Sequence, residues 1–188
     1  MSDITATAEN SYNKFSLYPL ISANCVNYLI ANNDSIFRIL YYNDSDAWRE
    51  DSNHPNLTHT QKINLIYAGQ PDETKYRIFL DFGIDNPWTT QATLIRISPT
   101  SLLPSNHIVG KIVVAFEVYA HFSLDHLSNY VTRIDYVTQQ FLEVFNGAEI
   151  GGLGRLFFDS RATNSCKTIL TGKIPFKGKV TFFANWIV

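Results

Sequence analysis

Between residues 111 and 145 the hydrophobic period of the chain changes once, and that change limits the fold more than any other feature. Ile112, Val114, Phe116, Val118 and Ala120 alternate with Lys111, Val113, Ala115, Glu117 and Tyr119. A period of two puts the first set on one face of a strand and the second set on the other. A few residues later Leu127, Tyr130, Val131, Ile134, Val137, Phe141 and Phe145 follow helical spacing, and Leu142 widens the stripe. This predicts one long amphipathic helix near 124–146, capped by Ser123 or Asp125 and stopped by Asn146 and a left-handed Gly147. Its polar face carries Asn129, Thr132, Arg133, Asp135, Gln139 and Glu143. Thr138 falls inside the apolar stripe, where its hydroxyl is expected to bond back to the Ile134 carbonyl.

The flanking segments extend the pattern. Ser22 reads as the cap of a helix with Val26, Leu29 and Ile30 on one face. Asn33 and Asp34 read as the cap of a further helical turn carrying Ile36, Phe37, Ile39 and Leu40, so that 22–40 is one kinked helix or two. Residues 43–59 read as a loop, and 62–67 as a short helix or strand stopping at Gly69. Strands are predicted at 76–82 and at 91–98, the latter ended by Pro99. After the long helix, strands are predicted at 155–159, 167–171 and 179–188, with a polar loop at 160–166. The last strand is apolar on both faces (Val180, Phe182, Ala184 and Trp186 against Phe183 and Ile187), which requires a central or covered position. Strand runs separated by one helix indicate an α+β fold, with helices flanking a mostly antiparallel β-sheet. A length of 188 residues fits one domain. Residues 1–14 are small and polar and read as a flexible N-terminal tail, leaving 15–188 as a single domain.

Composition removes several classes of function. Net charge is −2, so the whole molecule is not an electrostatic nucleic-acid binder. Charged residues are only 17 % and aromatics 14 %, a balance that often reserves surface for other protein. Cys25 and Cys166 lie too far apart for a zinc ribbon and are expected to be buried thiols. The polar start of the chain lacks a signal-peptide pattern, which leads to the expectation of a cytoplasmic origin and of coincidental sequons at Asn43 and Asn56. The apolar stretch 108–122 is interrupted by Gly110, Lys111 and Glu117, so no membrane span is expected.

No chemical motif survives scrutiny. Gly147, Gly151, Gly152 and Gly154 follow a helix and precede a strand, the reverse of a phosphate loop, and read as a helix stop and tight turn. His54, His59, His107, His121 and His126 lack zinc-pair spacing, and a histidine at the 121–126 junction is expected to bond to backbone. Asp44, Asp46, Glu50 and Asp51 lack the central glycine of a calcium loop and read as a solvated loop. No Gly-x-Ser-x-Gly elbow is present. The expectation is a chain that is not an enzyme, with no catalytic, cofactor-binding or metal residues.

Charge is distributed unevenly. From Gly152 to Val188 six basic residues (Arg155, Arg161, Lys167, Lys173, Lys177, Lys179) stand against Asp159 alone. From Asp34 to Asp51 five acids stand against Arg38 and Arg49. Three readings fit: head-to-tail contact between copies, basic strands facing DNA in a channel, or two ordinary solvated faces. Residues 172–178, flanked by glycines, read either as an outward arm with Phe176 as an exposed anchor or as a simple hairpin turn.

One family shares this layout. Strands end in Phe-Glu-Val-Tyr-Ala-His (116–121), and a helix follows through Leu-Ser-Asn-Tyr-Val-Thr-Arg-Ile-Asp (127–135) to Phe-Asn-Gly (145–147). Then come Gly-Gly-Leu-Gly-Arg-Leu-Phe-Phe (151–158) and terminal strands. Over 20–188 this resembles neck proteins of tailed bacteriophages, especially tail terminator and head–tail joining proteins. The resemblance implies a non-enzymatic structural virion protein, assembled in the host cytoplasm. It would form a six- or twelve-fold homo-oligomeric ring around the DNA channel, against other neck, portal or tail proteins. Contacts between subunits or rings are expected at Asp44, Asp46 and Trp48 in the acidic loop and at Lys173, Phe176 and Lys177 in the arm. Arg155 and Arg161 are expected to face the channel, in non-specific contact with packaged DNA. The loop at 43–59 is longer than a minimal version of such a protein needs, which suggests contact with an additional ring. Two rival readings are a monomeric β-rich module binding a small ligand or peptide, and a hydrolase using His121, His126 and an acid.

Overall fold

The alternating segment forms strand β3 (Val109–Ala120), and the sheet is built around it. The computed structural model describes residues 20–69, 73–80, 91–104, 109–151, 153–160, 164–169 and 176–187. The tail expected over 1–14 lies outside them. The strands are β1 (Ile78–Leu80), β2 (Thr93–Pro104), β3, β4 (Glu149–Ile150), β5 (Gly154–Phe158), β6 (Asn164–Ile169) and β7 (Phe176–Ile187). Their order is β1-β2-β3-β7-β5-β4, with β6 also paired to β7. Every pairing is antiparallel except β1 with β2, so the α+β reading holds with one parallel edge.

β7 is central, as its two apolar faces require. It pairs with β3 from Phe176↔Ala120 to Ile187↔Val109 and carries β5 and β6 on its other edge. On the face shared by Ile95, Ile97, Ile112, Val114, Phe116, Val118, Val180, Phe182 and Ala184, all nine side chains are fully buried. Helices α1 (Ile21–Asn32), α2 (Ser35–Tyr41) and α4 (Arg133–Phe145) bury their apolar stripes in the same core. At its centre Phe116 meets Phe141, Phe145 and Phe182 with ring centroids 5.1, 4.4 and 5.3 Å away. Tilted and edge-on rings of this kind add roughly 1 kcal/mol per pair beyond area burial. The opposite sheet face is polar by comparison. There Arg96 Nη1 lies 3.3 Å from Glu117 Oε2, and the Tyr119 hydroxyl donates to the same oxygen at 3.0 Å.

Several element boundaries differ from expectation, each for a local reason. α1 and α2 are two helices, because Asn33 is extended and its Oδ1 accepts the Ile36 N–H at 2.7 Å. Ser22 is a buried residue of the first turn of α1, not its cap. The short helix α3 spans His59–Ile63, earlier than expected, because Thr58 and Gln61 form a capping box. β2 runs through Pro99: the register shifts between Pro99 and Ser101, and a bulge is a place where a missing N–H is tolerated. β6 begins at Asn164, inside the segment read as a polar loop.

The largest correction concerns the long helix. It starts at Arg133, not near 124, because Thr132 caps it by accepting the Asp135 N–H at 3.1 Å. Upstream, Phe122–Leu124 form a single 3-10 turn, and residues 126 and 132 bridge across a tight loop closed by Leu127 N–H to the Val131 carbonyl at 3.0 Å. Tyr130 therefore leaves the apolar stripe and stands 97 % exposed, with a φ of 65°. Arg133, expected on the polar face, is fully buried. The Thr138 hydroxyl does not bond back to Ile134 and has no hydrogen-bond partner. The stop is as expected: Gly147 has a φ of 83°, a conformation that costs other residues more.

Candidate functional site

The acidic segment is a fastened structure. Its root is Arg133, the first residue of α4. The guanidinium donates to the carbonyls of Ile39 (2.8 Å), Tyr42 (3.1 Å) and Asp44. It thus satisfies the otherwise unpaired end of α2 and pins the first residues of the loop. Burial pushes its pKa down to about 10, opposed by Asp44 and Asp125, so it stays charged at neutral pH. A second arginine holds the middle. Arg38, also buried, donates to Ser35 Oγ and the Trp48 carbonyl at 3.2 Å each, and to Asn56, with Glu50 at 3.6 Å.

His54 closes the loop. Its Nε2 lies 3.0 Å from Asp44 Oδ2 and its Nδ1 lies 3.0 Å from Asp51 Oδ1, while its ring meets Tyr42 edge-on at 5.1 Å. The bond with Asp44 raises the imidazole pKa, burial opposes it, and Asp51 adds to it. Backbone N–H groups of His54 and Asn53, with the His54 ring, hold the Asp51 carboxyl below its usual range. With both ring nitrogens engaged by carboxylates, the imidazole acts as a clasp on the loop.

The loop is also stitched to the turn before α4. Ser128 N–H donates to the Ser45 carbonyl at 2.9 Å, Ser128 Oγ donates to Asp46 Oδ1 at 2.5 Å, and Trp48 Nε1 donates to Ser128 Oγ at 3.0 Å. Trp48 is half-buried against the core, and the Arg49 guanidinium lies 5.0 Å from its ring centroid. Asp44, Asp46 and Trp48 therefore come together on one rigid surface. Two residues beyond Ser128, Tyr130 projects from the same stitched turn.

A sequence model of the YomW family matches residues 33–170, which covers 138 of the chain's 188 residues. The chain belongs to the YomW family. YomW is the family name of a phage-like Bacillus protein, which points to a phage-related chain. No curated protein matches the chain. The YomW match takes in the whole acidic loop, the stitched turn and α4, and stops short of Lys173, Phe176 and Lys177.

Of the basic candidates in this YomW-family chain, only Arg155 has a described side chain. Arg155 is exposed on β5, in register with Glu149 on β4. Arg161 and Lys173 lie outside the described residues. Phe176 and Lys177 are the first residues of β7, paired with Ala120 and Tyr119, so residues 176–178 belong to the sheet and not to a free arm. Their side chains lie outside the description. His121 accepts the Ser123 N–H at 3.3 Å and pairs with its hydroxyl at 2.7 Å, the backbone-bonded junction expected from the sequence. Cys25 is a buried free thiol. Among the described residues no group of three or more His, Cys, Asp or Glu is placed to hold a metal ion, and no helix is long and apolar enough to cross a membrane.

Sequence reasoning missed Arg133, His54, Ser128 and Tyr130. Arg133 had a faint signal: the 133, 137, 141 spacing puts it on the flank of the apolar stripe. Ser128 and Tyr130 had none, because helical periodicity ran straight through the turn that sets them.

Proposed function

We propose that this chain is a structural virion component of a phage-related particle. Copies associate head to tail into a ring at the head–tail junction, as tail terminator or connector around the DNA channel. The observation that carries the reading is the acidic loop. Two buried arginines, a doubly engaged histidine and a stitched serine hold its backbone, four of its carboxylates and Trp48 in place. A solvated loop has no use for such fastening, whereas a protein interface gains from it, because little conformational entropy is lost when the partner arrives. The opposite charge of residues 152–188, six basic residues against one acid, supplies what a heterologous contact needs on its other side. Family membership supports the phage setting.

The test is mass in solution across a concentration series, by light scattering on a sizing column. The expected result is a discrete species at six or twelve times 21.4 kDa, whose symmetry negative-stain images then resolve. A monomer at every concentration and salt level would refute self-assembly into a ring. One feature favours a second reading, a monomeric ligand-binding module. An open cavity of about 400 Å³ is lined by Ile63, Asn64, Ile66, Ala68, Lys75 and Tyr76, within the usual size of small-molecule sites. On that reading a fragment screen by ligand-observed NMR returns hits that Ile66→Trp abolishes, and the protein stays monomeric.

A further inference from the structure

We propose that His54 is a proton-operated latch on the acidic loop: the charged imidazole holds Asp44 and Asp51 together, and the neutral imidazole lets one of them go. The inference stands apart from the assembly proposed above, since it needs only the geometry of one copy. His54 joins Asp44, at the start of the loop, to the turn at 51–54. Its Nε2 lies 3.0 Å from Asp44 Oδ2 and its Nδ1 lies 3.0 Å from Asp51 Oδ1. A carboxylate only accepts, so each contact needs an N–H on the imidazole. The charged form has one on each nitrogen. The neutral form has one in all, and its other nitrogen turns a lone pair towards a carboxylate oxygen.

Burial decides which partner moves. The His54 side chain is 10 % exposed and stands edge-on to Tyr42 at 5.1 Å, so the imidazole stays in place. The Asp44 and Asp51 side chains are 53 % and 40 % exposed, so a released carboxylate turns into water. Each carboxylate is also a backbone acceptor. Asp44 Oδ1 accepts the Asp46 N–H at 2.9 Å, and Asp51 Oδ1 accepts the N–H groups of Asn53 and His54 at 2.8 and 2.9 Å. A carboxylate that swings away gives up those amides, and the turn it closes loosens.

The neighbouring groups do not supply the switch. Burial, with Tyr41, raises the pKa of Tyr42, whose hydroxyl donates to the Pro55 carbonyl and stays protonated. The Asp51 carboxyl is held below its usual range by the His54 backbone N–H first of all. Two cations stand on the helix side. Arg133 of α4, with a pKa of about 10, donates to the Asp44 carbonyl. Arg38 of α2 donates to Asn56 and lies 3.6 Å from Glu50. His54 is the side chain here whose ordinary titration lies closest to neutrality.

Hydrogen exchange of the intact chain, read by mass spectrometry from about pH 5.5 to about pH 8.5 and corrected for intrinsic rates, tests the latch. Peptides within 44–54 are expected to lose protection at least about ten-fold across the series, the loss of one charge-assisted hydrogen bond. His54→Gln imitates the neutral imidazole, with donors at one end of its amide and an acceptor at the other. It is expected to exchange throughout at the level the parent reaches at high pH. Asp44→Asn removes one of the carboxylates that favour the charged form, so the midpoint of the transition is expected to move to lower pH. Protection in 44–54 that stays constant with pH in the parent overturns the latch, whatever the variants do. A loss of the same size with the same midpoint in His54→Gln overturns it, as does a midpoint that Asp44→Asn leaves in place.

Discussion

Replacing Arg133 with methionine tests the root of the acidic loop. Methionine keeps most of the apolar stem and removes every donor. Three carbonyls, those of Ile39, Tyr42 and Asp44, lose their partner. Leaving a buried acceptor unsatisfied costs about 1–3 kcal/mol, so the three together cost about 6 kcal/mol. Against this stands the relief of a buried charge. Holding the guanidinium pKa down at about 10 corresponds to about 3 kcal/mol of unfavourable burial, which the variant no longer bears. The net expectation is a loss of about 3 kcal/mol, or roughly 6–12 °C in Tm for a chain of this size. Urea denaturation measures the loss, and amide hydrogen exchange locates it: faster exchange should concentrate in residues 42–54, because those carbonyls anchor the start of the loop. Arg133→Lys should recover little, since an ammonium cannot reach three divergent carbonyls as a planar fork does. A loss under about 1 kcal/mol, or a full-sized loss with unchanged exchange in 42–54, would falsify the claim that Arg133 organises the loop.

Two further outcomes follow from the same geometry. The His54 clasp is pH-dependent in a defined direction: with its folded pKa raised by Asp44 and Asp51, its contribution is fully present below about pH 6.5 and is lost as pH rises through the higher folded value. The Asp51 contribution runs the other way, present above the ordinary aspartate range and lost as pH falls through its lowered value. Urea midpoints of parent and His54→Gln should therefore differ most near about pH 5.5 and converge towards about pH 9; a gap that widens with pH contradicts the clasp. Thr138→Val should stabilise by about 0.5–1.5 kcal/mol, because the hydroxyl lies in the apolar stripe with no hydrogen-bond partner. Thermal unfolding reads this directly, and a variant less stable than the parent would mean the hydroxyl is satisfied.

What the sequence disclosed and what it hid divide along the range of the forces involved. Strand β3 and the body of α4 were legible because period alone decides which face is buried, and β7 because two apolar faces admit only a central place. The α4 start was not legible. Ser123, Asp125 and Thr132 are all competent caps, and the choice fell to a long-range fact: the turn at 126–132 closes on itself and is stitched to Ser45 and Asp46, some eighty residues upstream. The same fact moved Tyr130 out of the stripe and Arg133 into the interior. The acidic loop shows the limit most plainly. Its carboxylates read as solvated because each was weighed alone, whereas His54 grips Asp44 and Asp51 from within the loop, Arg38 of α2 faces Glu50, and Arg133 of α4 holds the Asp44 carbonyl. Pro99 misled for the opposite reason, since a local rule about strand ends yields where a bulge absorbs the missing donor.

The position of β7 has a consequence for how the protein is made. β3 has its whole length, twelve residues, in register with β7, yet more than fifty residues separate the end of one from the start of the other. At roughly 5–20 residues per second of synthesis, β3 waits about 3–11 s before its neighbour is produced. During that interval one edge of an apolar strand has only water, chaperones or other nascent chains to pair with. Crowded polysomes translating this message would bring such open edges together, so its yield of folded protein should depend on translation rate and chaperone supply more than on the stability of the finished sheet.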